Sequence, residues 1–228
     1  MIRRVVLAAV LAGIAAGLVM SAIQHWRVTP LILQAESFEA AHDHGHGAAH
    51  VHGDDEHAWA PADGLERTGF TVLFNVLTGV GFALIAAAAS LITRLPLNPQ
   101  TGLMWGLAGF ATFMLAPSAG LPPELPGMAR TDLASSQAWW WLAVAATAAG
   151  IAMIALTRHL AWKAAAIGLI ALPHLIGAPQ ASGDSAVPAG LANAFAANAI
   201  AASAIFWIVL CVSLGFLLAR QTAAQEAH

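Results

Sequence analysis

Long apolar stretches with almost no charged side chains restrict this chain to a small set of folds. Of its 228 residues, 59% are hydrophobic and only 9% are charged, whereas a soluble domain carries about 25% charged residues. A helix needs about 20 apolar residues to cross the hydrocarbon core of a bilayer. Six stretches qualify: Val5–Ile23, Phe70–Ile92, Thr101–Ala116, Trp139–Thr157, Leu160–Gly177 and Ala194–Ala219.

These stretches indicate helices, because open sheet edges cannot face lipid and the alternating pattern of a barrel is missing. We therefore predict an all-α fold: a polytopic membrane helix bundle of about six transmembrane helices, with no β-sheet. Residues 1–228 are expected to form a single membrane domain. Gly13-xxx-Gly17 and Gly102-xxx-Gly106 are predicted to let helices of the same chain approach closely. Cys211, the one cysteine, is expected to be a small buried apolar residue.

The basic residues indicate the orientation of the bundle. With the N-terminus in the cytoplasm, six of the nine Lys and Arg residues are cytoplasmic: Arg3, Arg4, Arg94, Arg158, Lys163 and Arg220. Arg27, Arg67 and Arg130 lie outside. Cytoplasmic loops are enriched in basic residues, so we expect a multi-pass protein of the bacterial inner membrane with both termini cytoplasmic. No cleavage motif follows Met20, which favours an uncleaved first span.

A polar segment, residues 36–66, separates the first two spans and is predicted to be a periplasmic or extracellular loop. It contains six of the ten histidines: His42, His44, His46, His50, His52 and His57. Four acidic residues lie among them. Neutral imidazole and carboxylate together suit borderline divalent metals such as cobalt, nickel, zinc or copper. The glycines imply no fixed geometry, so we predict weak, exchangeable capture sites. The alternative is a polar linker without metal affinity.

Five further residues are candidate metal ligands near the outer ends of the spans: His25, His174, Glu36, Glu39 and Glu124. Because His25 and His174 end their spans at similar depth, we predict a first intramembrane metal site of His174, His25 and either Glu124 or Glu36. Glu36 and Glu39 would share a helix face. The alternatives are hydrogen-bonded packing histidines and a solvated acidic face.

Two smaller expectations concern the apolar residues around these candidates. The stretch 31–33 could lie on the membrane surface before the acidic pair. The methionines show no MxxM or MxxxM clustering, and we expect them to fill packing gaps rather than to form a copper track.

Several function classes are excluded by missing motifs. The chain has no GxxxxGK[ST] phosphate loop, no HExxH zinc helix and no nucleophile paired with a base in a span, so we expect no enzyme. A net charge of −3 gives no indication of a nucleic-acid partner.

Five runs carry a resemblance to a known family, in order along the chain: Thr29–Glu36, Gly102–Phe110, Leu121–Gly127, Trp139–Trp140 and Leu172–Pro179. Together they resemble the CbtA family of predicted cobalt transporter subunits. The resemblance implies a link to cobalt and to cobalamin-related metabolism. It also implies a small, histidine-bearing membrane partner, CbtB.

We therefore expect an integral membrane subunit of a divalent-metal uptake system, in which the histidine-rich loop feeds an intramembrane pathway. Its partners are the lipid bilayer, divalent metal ions and a CbtB-like protein. Co²⁺ is favoured over Ni²⁺ or Zn²⁺ as the transported ion, and no cofactor is bound permanently. A nickel or zinc transporter and a non-transporting metal-binding or sensing subunit remain the alternatives.

Overall fold

A computed structural model describes residues 2–45, 62 and 64–226 of the chain, with side chains described for residues 2–38, 62 and 64–220. His46, His50, His52 and His57 lie outside the described residues. The predictions made for them therefore stay predictions.

Helices account for most of the described backbone, which contains no strand. They are α1 (Ile2–Ile23), α2 (Thr29–Gly45), α3 (Leu65–Thr93), α4 (Gly102–Phe110), α5 (Ala116–Ser118), α6 (Leu133–Leu156), α7 (Leu160–Ile176) and α8 (Ala189–Glu226). Wide π-helical turns, Gln24–Val28 and Ala111–Leu115, join α1 to α2 and α4 to α5 without a break. The prediction of an all-α fold is confirmed.

Six helical rods result, as the sequence predicts. Four are long and apolar enough to cross a membrane: Ile2–Phe38, Leu65–Thr93, Leu133–Leu156 and Ala189–Arg220. Two shorter apolar rods, Gly102–Ser118 and Leu160–Ile176, complete the set. At about 1.5 Å per residue, their 17 residues rise about 26 Å, close to the thickness of the hydrocarbon core. The bundle end that carries Gly45 and Leu65 is called the loop end, and the opposite end the terminal end.

The first rod differs most from its predicted bounds. The helix does not stop at Ile23 but continues through the π turn and α2 to Gly45. The stretch 31–33 therefore does not lie flat on a membrane surface: Leu31 and Ile32 pack beside Val28 and Leu125. Residues 36–45 of the predicted loop are likewise helical, consistent with the helix propensity of their alanines and glutamates.

Backbone-to-backbone contacts hold four of the rods together. A Cβ on Gly13 would come within 2.6 Å of Val80 Cα on α3, and a Cβ on Gly17 within 2.6 Å of Val76 Cα. On α4, a Cβ on Gly106 would come within 2.8 Å of the Trp207 carbonyl oxygen of α8. Small residues allow helices to approach this closely. Both small-residue pairs thus pack within the chain, as predicted.

The core beside these contacts combines alanines with a few large side chains. Seven buried alanines belong to this core: Ala8, Ala9, Ala12, Ala16, Ala83, Ala86 and Ala87. Leu210, Cys211 and Leu214 of α8 are fully buried against them. The expectation that Cys211 is a packing residue is confirmed.

A helical pair, α6 and α7, lies at the edge of the bundle. Gly150 of α6 accepts Ile170 of α7 in close contact. At the loop end, the Trp139 indole Nε1 donates a hydrogen bond to the Pro173 carbonyl oxygen at 3.1 Å. Asp132 begins α6, and its carboxylate accepts a hydrogen bond from the Ser135 backbone N–H at 2.9 Å. That hydrogen bond lowers the pKa of Asp132 below its ordinary value.

An apolar cap closes part of the loop end. It consists of Val28, Ala35, Leu125, Val187, Leu191 and Phe195, which form one buried cluster. The cluster joins α2 to the proline-rich loop 119–132 and to the start of α8. The proline-rich loop also touches the connection between α7 and α8, because the Ala186 N–H donates a hydrogen bond to the Gly127 carbonyl oxygen at 3.0 Å.

Candidate functional site

A cavity of about 730 Å³ enters the bundle from the loop end, between the first rod, α3 and α8. Exposed residues at its rim include His25, Gly64 and Thr68. Its deepest residues are buried, with Ser203 exposed by 8% and Ala202 by 1%. None of the residues lining it belongs to α6 or α7. The cavity therefore leads from the loop end towards the interior of the four tightly packed rods.

Both π turns contribute to the cavity wall. Gln24, His25 and Val28 belong to the first π turn, and Met114 belongs to the second. Each turn precedes a proline that continues the same helix, Pro30 and Pro117 respectively.

Proline causes these turns for a steric reason. It has no N–H, and its ring clashes with the carbonyl oxygen of the residue four positions earlier. That residue is Trp26 for Pro30 and Phe113 for Pro117, and each lies inside its π turn. Widening the turn relieves the clash while the helix continues. Such turns are frequent at functional sites.

A polar cluster crosses the gap between the first rod and α3. The Asn75 side-chain amide Nδ2 donates to Gln24 Oε1 at 2.6 Å and to Ser21 Oγ at 3.0 Å. Ser21 Oγ in turn donates to the Gly17 carbonyl oxygen at 2.8 Å. Ser21 and Gln24 line the cavity. These uncharged side chains supply the inner half of the cavity wall with oxygen atoms that can coordinate a metal ion.

An ion pair spans the same gap nearer the rim. Arg67 Nη2 lies 2.6 Å from Glu36 Oε1, and Nη1 lies 3.5 Å from Oε2. The two side chains are 32% and 37% exposed. A pair with this much water contact contributes only about 0–1 kcal/mol to stability. It connects α2 to the first turn of α3 without fixing them rigidly.

Two methionines on different rods, Met20 and Met114, face the cavity. Met20 also packs against the alanine-rich core, as expected for a gap-filling residue. No sequence spacing indicates this pair, because 93 residues of chain separate its members. With His25 and the hydroxyl groups of Ser203 and Thr71, the cavity offers nitrogen, oxygen and sulfur donors.

An aromatic cluster lies one turn beyond the deepest cavity residues. Phe113 stacks on Trp207 with ring centroids 5.4 Å apart and planes at 10°. Phe82 lies 4.7 Å from Trp207 and 5.0 Å from Phe113. Phe113 directly precedes Met114 and Trp207 follows Ser203 by one turn, so the cluster neighbours these two cavity residues along their helices.

The predicted ligands are spread over the loop end rather than gathered. His25 lines the cavity, and Glu36 is paired with Arg67 at its rim. His174 is exposed on α7, with its ring edge-on to Trp139 at a centroid distance of 5.7 Å. Glu124 is exposed on the proline-rich loop.

No three His, Cys, Asp or Glu side chains among the described residues lie close enough to hold a metal ion. His42 and His44 lie in the last turns of α2, beyond the described side chains, as does Glu39. Their proposed role as ligands stays a prediction.

The comparison with known families agrees with this architecture. Residues 2–219 match a family model described as a probable cobalt transporter subunit (CbtA). The chain belongs to the CbtA family. No curated protein and no solved structure matches the chain. The family is described as one of probable cobalt transporter subunits, which agrees with the apolar, membrane-spanning helices of the chain.

Proposed function

We propose that this CbtA chain moves a divalent metal ion, preferably Co²⁺ over Ni²⁺ or Zn²⁺, from the loop end to the terminal end of the bundle. One observation carries the proposal: a cavity with histidine, hydroxyl and amide groups enters at the loop end and ends at the buried residues Ala202 and Ser203. A path that is open at one end and closed at the other is what an uptake protein needs before it changes conformation.

The histidine-rich segment is proposed to capture the metal first. Its first members, His42 and His44, belong to α2, and the same continuous helix lines the cavity at His25. Metal held at this segment is thereby concentrated beside the rim. Neutral imidazole is the binding form, so protons compete with the metal and acidification should weaken capture.

His25 is the proposed imidazole ligand of the cavity. Borderline divalent ions favour imidazole, and the hydroxyl and amide oxygens of the cavity suit a partly hydrated ion. His174, Glu39 and Glu124 stay candidate ligands of the outer surface. His174 would reach the cavity only through movement of α7.

The orientation follows from charge. The terminal end carries Arg3, Arg4, Arg94 and Arg220, and the Arg220 guanidinium lies 4.6 Å from the centroid of the Phe216 ring. By the positive-inside rule we place this end in the cytoplasm and the histidine-rich segment in the periplasm of an inner membrane. The family description as a subunit supports a partner protein, for which a small CbtB-like membrane protein is our candidate.

Radioactive Co²⁺ uptake by cells that express the chain, with and without its proposed partner, tests transport. We expect His25→Ala to lower uptake at both low and saturating metal. Replacing the six segment histidines by alanine should lower uptake mainly at low metal, because capture raises the local concentration only. His159→Ala is the matched control, since His159 is an exposed histidine at the terminal end.

Filling the cavity provides an independent arm of the experiment. Ala199 lines the cavity, and Ala199→Trp should abolish uptake while the protein stays folded. Normal uptake by this variant would place the pathway elsewhere. Metal binding without uptake, with or without the partner, would favour a sensing or storage subunit. Competition by Ni²⁺ and Zn²⁺ separates the cobalt, nickel and zinc alternatives.

A further inference from the structure

We propose that Glu36 is a cation ligand at the cavity rim, and that Arg67 is its resting counter-ion, which the incoming divalent cation displaces. The inference rests on the proposed function, since it assumes that a divalent cation enters the cavity. It adds a mechanism that controls when the rim accepts the ion.

Charge distribution is the first reason. Among the described residues that line the cavity, Arg67 is the one with a permanent charge, and that charge is positive. A guanidinium without a neighbouring carboxylate would repel a divalent cation at the rim, most strongly where water is scarce. Glu36 supplies a carboxylate beside this charge. The ion pair thus offsets the positive charge of the wall at rest.

Geometry makes exchange possible. The pair is one short contact of 2.6 Å and one longer contact of 3.5 Å, and about a third of each side chain is exposed to solvent. Its partners lie on different helices, α2 and α3. Arg67 belongs to the first turns of α3, from which its long side chain can turn towards water at the loop end. A weak, hydrated pair can be replaced by a cation of higher charge.

The exchange implies two successive binding sites for the ion rather than one. Glu36 follows His25 by 11 residues on one continuous helix, which separates their backbones by about 16 Å along the axis. One ion cannot bind both at once. We infer that the ion first replaces Arg67 at Glu36 and then passes to His25 and to the cluster of Ser21, Gln24 and Asn75.

Two single substitutions distinguish exchange from simple helix attachment, because exchange predicts opposite effects on Co²⁺ affinity. Glu36→Gln removes the ligand and leaves Arg67 charged, so the dissociation constant for Co²⁺ should rise about tenfold or more. Arg67→Met leaves the carboxylate without its competitor, so Co²⁺ should bind several-fold more tightly and leave more slowly. Arg67→Lys keeps the charge and should stay near wild type.

The measurement is Co²⁺ titration of the purified full chain in lipid nanodiscs, with uptake in cells as a second readout. Glu66→Gln is the matched control, because it removes the same charge one position before Arg67 from an exposed side chain. It should leave the affinity unchanged.

Three outcomes decide the proposal. Opposite shifts by Glu36→Gln and Arg67→Met support exchange. Weaker binding by both, with equal falls in the thermal midpoint, means that the pair only attaches α2 to α3 and overturns it. Wild-type protein that neither binds nor transports Co²⁺ removes the proposed function itself, and the exchange with it. If Glu36→Gln does not fold, Arg67→Met decides alone: tighter Co²⁺ binding supports exchange, and unchanged or weaker binding overturns it.

Discussion

The two ends of the four packed rods differ in the residues that line the contacts between helices. Towards the terminal end, glycines bring α1 against α3 and α4 against α8 at backbone distance, and the core beside them is rich in alanine. Towards the loop end, the same helices are widened by π turns and separated by a cavity whose wall carries amides, hydroxyls and an ion pair. The helices of the terminal half are therefore closely packed, whereas those of the loop half enclose a cavity that is large enough for an ion.

The largest effect is expected where the terminal half is tightest. Gly13→Leu places side-chain atoms where the backbone of Val80 lies, so α1 and α3 must separate. The cost should exceed the roughly 1–3 kcal/mol of ordinary overpacking, because backbone cannot move aside as a side chain can. We expect loss of monodisperse, folded protein in size-exclusion chromatography.

Gly168→Leu is the control for that experiment. A Cβ at Gly168 meets no atom within 4 Å, and the residue is exposed on α7. It should leave folding unchanged. If Gly13→Leu behaves in the same way, close packing is not what holds the terminal half together.

The second largest effect is expected in the access of water to the cavity wall, which thiol labelling measures. In a Cys211→Ala background, Ser203→Cys places a thiol on the cavity wall. A polar, membrane-impermeant thiosulfonate reagent should label it, because the thiolate forms only where water reaches the sulfur. Ala165→Cys, on the outer surface of α7, should stay unlabelled in lipid. Absence of labelling at both positions would mean that water does not reach the cavity wall.

A moderate effect is expected from the proline of the first rod. Pro30→Ala restores a backbone donor and removes the reason for the π turn, so the helix can become regular and more stable. We expect a higher thermal midpoint together with severalfold lower Co²⁺ uptake, because a regular helix narrows the cavity. Pro122→Ala, in an exposed loop, is the control. Unchanged Co²⁺ uptake by Pro30→Ala would mean that transport does not depend on the π turn.

The smallest effect lies outside both halves, at the start of α6. The pKa of Asp132 is lowered by its hydrogen bond from the Ser135 N–H, so its contribution to stability is present above the unfolded pKa of about 3.9. That contribution is lost as the pH falls through the lower pKa of the folded protein. Asp132→Ala should reduce the thermal midpoint slightly at pH 7, and the difference should vanish in acid. Asp132→Asn should keep the cap without the pH dependence.

The position of a residue along its helix could be predicted from the sequence. Which helices pack side by side could not. Hydropathy located the six rods, and the small-residue pairs at Gly13 and Gly102 indicated close packing. The end of a span also placed His174 at the loop end. Its actual position on α7, against α6 rather than beside the cavity, depends on which rods pack together. Apolar patterns alone carry little information about that choice in a membrane.

The polar features of the cavity were missed for related reasons. Gln24 and Asn75 meet across two spans, and their contact requires a helix register that spacing does not encode. Pro117 reads as the start of a loop, because proline normally ends a helix. A π turn allows the helix to continue, and the sequence shows no local sign that this solution is used.

The apolar cap reduces the number of independent motions at the loop end. Val28 and Ala35 from the first rod, Leu125 from the proline-rich loop and Phe195 from α8 belong to one buried cluster. Separating any of these segments alone exposes apolar surface to water, whereas moving them together does not. Opening and closing of the cavity should therefore be one cooperative transition between two free-energy wells, with a single relaxation rate seen by probes on α2, on the loop and on α8 alike.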